Sequence, residues 1–169
     1  MQKNKIEAYK LLKTAFPVSN REQSNNWLGE LFIWLADYDS ARVCLESAVK
    51  QNNLFMQLPR FQACLALANF KTGNHQNAGA IIRKLIDRGD KTTAGSSDYF
   101  IGWYYSGIDM PDSAFYWLEK AYKNNSPEFP WLKVDPVFKN LKKDLRYLDL
   151  YARTGHKAYD DYISGMKKK

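Results

Sequence analysis

The side chains able to do chemistry in this chain are few and poorly placed to cooperate. Its two histidines, His75 and His156, are far apart in sequence, one in a turn and the other directly after the helix-ending Gly155. Neither has a nucleophile or a second ligand at a useful spacing. The two cysteines, Cys44 and Cys64, fall inside helical patterns with no nearby His or second Cys. They read as small buried hydrophobes in a reducing compartment; the alternative, a disulfide, would need their Cα atoms within about 7 Å. A zinc-protease helix needs two His four residues apart, a phosphate cradle a Gly-rich turn opening a helix, and a nucleophile elbow a Ser between glycines; none of these patterns occurs. The carboxylates Asp160-Asp161 and Asp109 with Asp112 read as caps and solvated turns. The sequence therefore names no catalytic residue, no metal site and no cofactor, and the expectation is a protein that is not an enzyme. What remains is recognition by aromatic and cationic side chains, with aromatics at 15% of the chain.

The elements that would position such residues are repeated. Gly29, Ala66 and Gly102 stand 37 and 36 residues apart, and each is followed at twelve positions by Ala41, Ala78 or Ala114 and at nineteen by Ala48, Leu85 or Ala121. Periods of about 20–50 residues mark stacked repeats, whose units cannot bury an apolar face alone. Nearly every segment has apolar residues at helical spacing and none alternates with period two, so the fold class is all-α. Small residues belong where two antiparallel helices cross closely, which pairs Gly29 with Ala41, Ala66 with Ala78 and Gly102 with Ala114.

Punctuation marks the units. Ser19 and Glu22 form a capping box, Asp39 is the expected cap of the second helix, and Pro59 and Pro111 are suited to first helical turns. Asn74 is a cap type, Gly89 a left-handed stop. The expected boundaries are a half repeat over 1–17, repeats over 19–53, 57–91 and 95–126, and a C-terminal cap with a basic tail over 134–169, all in one domain. In the half repeat, Ala8, Leu12 and Ala15 reproduce the Ala41, Leu45, Ala48 spacing, as if a first helix were missing. In the cap, Asp135 and Pro136 open one helix with Phe138, Leu141, Leu145, Leu148 and Tyr151 on one side. Gly155 ends it, and Ala158 to Ile163 make one more short turn.

The net charge is +7, of which +5 lies from Lys133 onward. Without a reader motif or aromatics interleaved on one face, that basicity reads as a solvated helical end and argues against nucleic acid. No stretch approaches the ~18 apolar residues of a membrane span and no secretion signal is visible, so a cytoplasmic protein without a membrane partner is expected.

Residues Gln23 to Tyr122 resemble the tetratricopeptide repeat: a small residue after Leu28, Leu65 or Ile101, a large one three further on in Phe32 and Tyr105, then the Ala41, Leu45, Ala48 set and its counterparts. Asn69 stands where an aromatic is usual. Trp117 to Tyr122, Leu132 to Leu141 and Tyr147-Leu148 are similar to the closing segment of tetratricopeptide arrays attached to bacterial regulators, with Asp144-Leu145 in place of a second Asp-Pro pair. The resemblance implies a right-handed α-solenoid of antiparallel helix pairs with a C-terminal capping helix, and an interaction arm that ends a larger protein. It also implies that the first helix of each pair lines a concave groove, through Gln23, Asn26, Glu30, Ile33 and Trp34, then Arg60, Ala63, Leu67 and Lys71, then Ser96, Tyr99, Trp103 and Ser106. Trp34, Arg60, Tyr99 and Trp103 are the anchors expected from the residue types that dominate binding energy. Asn26, Glu30, Cys64, Ser96 and Phe100 do not reproduce the carboxylate clamp of chaperone-tail binders. The expected partner is a protein or peptide segment. The alternatives are a small-molecule or nucleic-acid sensing arm, and self-association through the half repeat.

Overall fold

The computed structural model describes residues 14, 21–89 and 97–166. Apart from Thr14, the expected half repeat over Lys5–Phe16 lies outside the described residues, as do Ser19 of the capping box, Ser96 of the groove set and Lys167–Lys169. Two compact units divide the chain, Met1–Leu85 and Ile86–Lys169. The division falls within 57–91, the expected second repeat. Among the described residues the regular structure is entirely helical, with no strand, and no helix is long and apolar enough to cross a membrane.

The first unit holds α1 (Arg21–Trp34), α2 (Tyr38–Lys50), a 3-10 turn over Leu54–Gln57, α3 (Pro59–Lys71) and most of α4 (His75–Arg88). Helix α1 packs on both α2 and α3, and α2 packs on α3. At the α1–α2 crossing Gly29 meets the Leu45 side chain rather than Ala41 alone: a Cβ there would lie 2.4 Å from Leu45 Cγ. Asn25 Nδ2 donates to Ser47 Oγ across the same pair, which sets the helices antiparallel. The cap of α2 is Asp37, not the expected Asp39. Asp37 Oδ1 accepts the Ser40 amide at 3.2 Å, while Asp39 sits in the first turn, where a carboxylate complements the helix dipole. Pro59 opens α3 as expected.

Helix ends carry the repeat more sharply than helix interiors do. Residues with positive φ fall at Ala36, Gly73 and Asp109 after α1, α3 and α5, and at Asn52, Gly89 and Asn125 after α2, α4 and α6. Both series step by 37 and then 36, the period of Gly29, Ala66 and Gly102. At Ala36, Asn52, Gly73, Asp109 and Asn125 the following amide reaches back five residues: Asp37 to Phe32 O, Asn53 to Ala48 O, Asn74 to Asn69 O, Met110 to Tyr105 O and Ser126 to Ala121 O, at 2.8–3.0 Å. These are Schellman closures, which satisfy carbonyls left over at a helix terminus. A left-handed alanine carries about 1 kcal/mol of strain that glycine does not. Ala36→Gly is thus expected to raise stability by about 0.5–1 kcal/mol in urea denaturation.

The second unit contains α5 (Ser97–Gly107), α6 (Pro111–Lys123), 3-10 segments over Phe129–Lys133 and Pro136–Asn140, α7 (Leu145–Arg153) and α8 (His156–Met166). Gly102 lets α5 approach α6 closely, since a Cβ there would lie 2.9 Å from Leu118 Cγ and 3.1 Å from the Ala114 carbonyl oxygen. Asp98, almost fully buried, accepts from Lys120 Nζ and Asn124 Nδ2 of α6, both at 2.9 Å. The 3-10 segment Pro136–Asn140 lies against another side of α5: Ser106 Oγ donates to Val137 O at 2.8 Å, and Asn140 Nδ2 donates to Ser106 O at 2.9 Å. Covered on several sides, α5 buries eight of its eleven residues.

The single helix expected after Asp135 is broken. Asp135 Oδ1 does cap, accepting the Val137 amide at 2.9 Å, but over a 3-10 turn. Asp144 then caps α7 by accepting the Arg146 amide at 2.9 Å. The break changes the register, so α7 buries Tyr147 and Leu150 and leaves Leu145 and Leu148 exposed. Arg146 and Arg153, seven residues apart, repeat one contact against α6: Arg146 pairs with Asp112 and lies over the Phe115 ring, and Arg153 pairs with Glu119 and lies over Tyr122. Gly155 ends α7 at φ +83, as expected. The short turn expected at Ala158–Ile163 is a full helix of eleven residues.

Helix α8 buries none of its residues, so polar contacts hold it. His156 Nε2 donates to Phe129 O at 2.8 Å while its ring stacks on Tyr151. Asp160 accepts from Lys133 Nζ and from the Tyr151 hydroxyl. Lys133 first, and Tyr151 second, hold the Asp160 carboxyl below its ordinary 3.8. A depressed carboxyl stabilises fully above the unfolded value and is lost as pH falls through the folded one. Amide exchange in α8 is therefore expected to accelerate on acidification below about 3.8, and Asp160→Asn should reproduce that acceleration at neutral pH. Equal α8 protection in the variant and the parent at pH 7 would contradict this.

Candidate partner-binding face

In the first unit, α1 and α3 bring together part of the expected groove set. Glu30 points from the middle of α1 to the start of α3, where Arg60 Nε lies 2.6 Å from its Oε1. The Glu30 side chain is buried and the Arg60 side chain about one quarter exposed. The Arg60 guanidinium also sits over the Trp27 ring, 5.5 Å from its centroid. Trp27 packs edge-on against Phe61 with centroids 4.9 Å apart and leans toward Phe55 at 6.3 Å. Trp27 and Trp34 are seven residues apart, two turns of α1 on one face, and they remain 40% and 37% exposed. Lys71, at the far end of α3, is exposed with its ammonium 6.0 Å from the Tyr38 ring centroid.

The other expected contacts lie inside. Leu67, Ile33 and Ala63 are core residues. Asn26 is fully buried: its Oδ1 accepts from Asn53 Nδ2 at 3.1 Å, and its Nδ2 has no partner among the described residues. In the second unit, Tyr99 and Trp103 are 1% and 2% exposed and offer nothing to a partner. Tyr99 is boxed edge-to-face by Phe100, Phe129 and Phe138. Trp103 donates its indole N–H to Asp135 Oδ2 at 2.8 Å, and Ser106 is equally enclosed. Both aromatics were expected on an open face; the chain from Phe129 to Asn140 covers it. Trp27 lies on this face although it is absent from the expected contacts. Its signal was the seven-residue spacing to Trp34 with Glu30 between them.

Among the described residues no group of three or more His, Cys, Asp or Glu is placed to hold a metal ion. Cys44, half-buried, and Cys64, buried, are not joined in a disulfide. His75 packs edge-on against Phe70, and His156 anchors α8. What the α1–α3 face provides is a pair of half-exposed indoles around an oriented ion pair, with a lysine beyond. Against known proteins, the chain matches no family model, no curated protein and no solved structure.

Proposed function

We propose that this chain is a non-catalytic interaction module built from tetratricopeptide-like helix pairs wound as a right-handed α-solenoid, and that it binds a protein segment on the α1–α3 face. The observation that carries the reading is the exposed pair Trp27 and Trp34 beside the Glu30–Arg60 bridge. A half-exposed indole on a rigid helix keeps a large contact area at little entropic cost, and Trp and Arg are the types that dominate binding hot spots. The in-phase helix ends and the Gly29, Ala66, Gly102 series support the repeat, and two cysteines that form no disulfide suit a reducing cytoplasm. The expected groove contacts Tyr99 and Trp103 drop out of the proposal, and Trp27 enters it.

The test is selection of peptides from a random display library on the full chain, followed by titration of the selected peptides. Trp34→Ala is expected to weaken binding by tenfold or more, the ~1.4 kcal/mol or greater of a hot spot, with an unchanged far-UV circular dichroism spectrum at the titration temperature showing that the fold is retained. Peptides that bind Trp34→Ala and Trp27→Ala as tightly as the parent would overturn the assignment. A steep loss of affinity with salt would instead favour a phosphate-bearing ligand.

A further inference from the structure

Also within the first unit, the end of α2, the Leu54–Gln57 turn, α3 and α4 enclose a cleft of about 430 Å³ that shares no lining residue with the Trp27–Trp34 face. Its size falls in the range of about 300–1,000 Å³ typical of ligand pockets. Leu65 and Ile81 contribute apolar walls, and Leu54 stands on the rim at 85% exposure. A leucine so exposed on a fixed 3-10 turn gains nothing for the fold. Five polar side chains line the cleft; Asn53 is engaged with Asn26 and the Phe55 amide, whereas Asn52, Gln62 and Lys84 make no side-chain hydrogen bond or ion pair among the described residues. No acidic residue lines it.

We propose that this cleft is a second binding site, for an extended peptide that places an aliphatic side chain against Leu54, Leu65 and Ile81 and an adjacent acidic side chain on Lys84. A carboxamide offers one acceptor and two donors, so Asn52 and Gln62 match the alternating N–H and C=O of an extended main chain. An ammonium in a cleft that no carboxylate lines selects for negative charge. An aliphatic residue next to an acidic one meets the apolar walls and the cation together; a bare apolar ligand would leave Lys84 and both carboxamides unused.

The probe is a capped pentapeptide carrying two leucines followed by glutamate, titrated at millimolar concentration into the 15N-labelled full chain. Amide shifts are expected at Asn52, Leu65, Ile81 and Lys84, with none at Trp27 or Trp34. Lys84→Glu should weaken the glutamate peptide by about two- to fivefold, the value of an exposed ion pair, and improve binding of the same peptide with lysine in place of glutamate. Leu54→Asp, at an exposed position, should abolish the shifts without lowering the melting temperature. No shifts at the cleft, an affinity indifferent to Lys84→Glu, or hexanoate binding as tightly as the peptide would each overturn the proposal. Loss of binding at the Trp34 face would leave these readouts unaltered.

Discussion

Trp103→Ala is expected to destabilise the second unit by about 3–5 kcal/mol, a large part of the 5–15 kcal/mol that holds a typical domain together. The indole is 2% exposed, so truncation leaves a cavity against surroundings that cannot fully collapse. It also removes the donor 2.8 Å from Asp135 Oδ2. Asp135 is itself buried, so its Oδ2 loses a hydrogen bond in a desolvated setting where water replaces it poorly. Trp103→Phe separates the two effects: it retains most of the packing and loses the hydrogen bond, for an expected cost of about 1.5–3 kcal/mol. Urea denaturation followed by far-UV circular dichroism measures both variants. A Trp103→Ala protein as stable as the parent would show that the indole is not enclosed between α5 and the Pro136–Asn140 segment. The same result would return Trp103 to the set of candidate contacts.

That residue shows where the sequence was legible and where it was not. The helical period, the small residues at helix crossings and the proline starts at Pro59 and Pro111 are local signals, and the helices follow them. Which face of a helix meets solvent depends on everything that later packs against it. The α5 sequence is apolar almost all round, and only the course of Phe129–Asn140, held by Ser106, Asn140 and Asp135, decides that Tyr99 and Trp103 are interior. The Schellman ends at Ala36 and Asp109 were equally hidden, because neither residue type advertises a left-handed backbone; Gly73 and Gly89 do. The break before α7 hid in an apolar series that continues to the eye from Phe138 to Tyr151. Asp144, a cap type, carries the signal, which the longer periodicity masks. On the α1–α3 face, the Glu30–Arg60 bridge joins residues thirty apart and could be seen only as two separate members of one face.

Gly29→Ala is expected to destabilise the first unit by about 1–3 kcal/mol, against the propensity of the helix it belongs to. In a solvated helix interior the same change stabilises by about 0.5–1 kcal/mol, since glycine gives up more backbone freedom than alanine. Gly79 supplies that control: an added Cβ would lie 3.5 Å from an Arg83 guanidinium nitrogen, an ordinary contact, and Gly79→Ala should raise stability. At Gly29 the added Cβ would lie 2.4, 2.7 and 3.1 Å from Leu45 Cγ, Cδ2 and Cδ1. Leu45 is fully buried in a close-packed crossing, so relieving the contact requires it or the α1–α2 spacing to shift at a cost. All three clashing atoms belong to the Leu45 side chain beyond Cβ, which makes the cause separable. Leu45→Ala alone should cost about 2–5 kcal/mol through its cavity. In that background the clash is gone, so Gly29→Ala should become neutral or stabilising, a coupling of about 1–3 kcal/mol in the double-mutant cycle. If the penalty of Gly29→Ala persists unchanged without Leu45, the α1–α2 crossing does not lie at Gly29, and the small-residue series with its 37- and 36-residue steps loses its physical explanation.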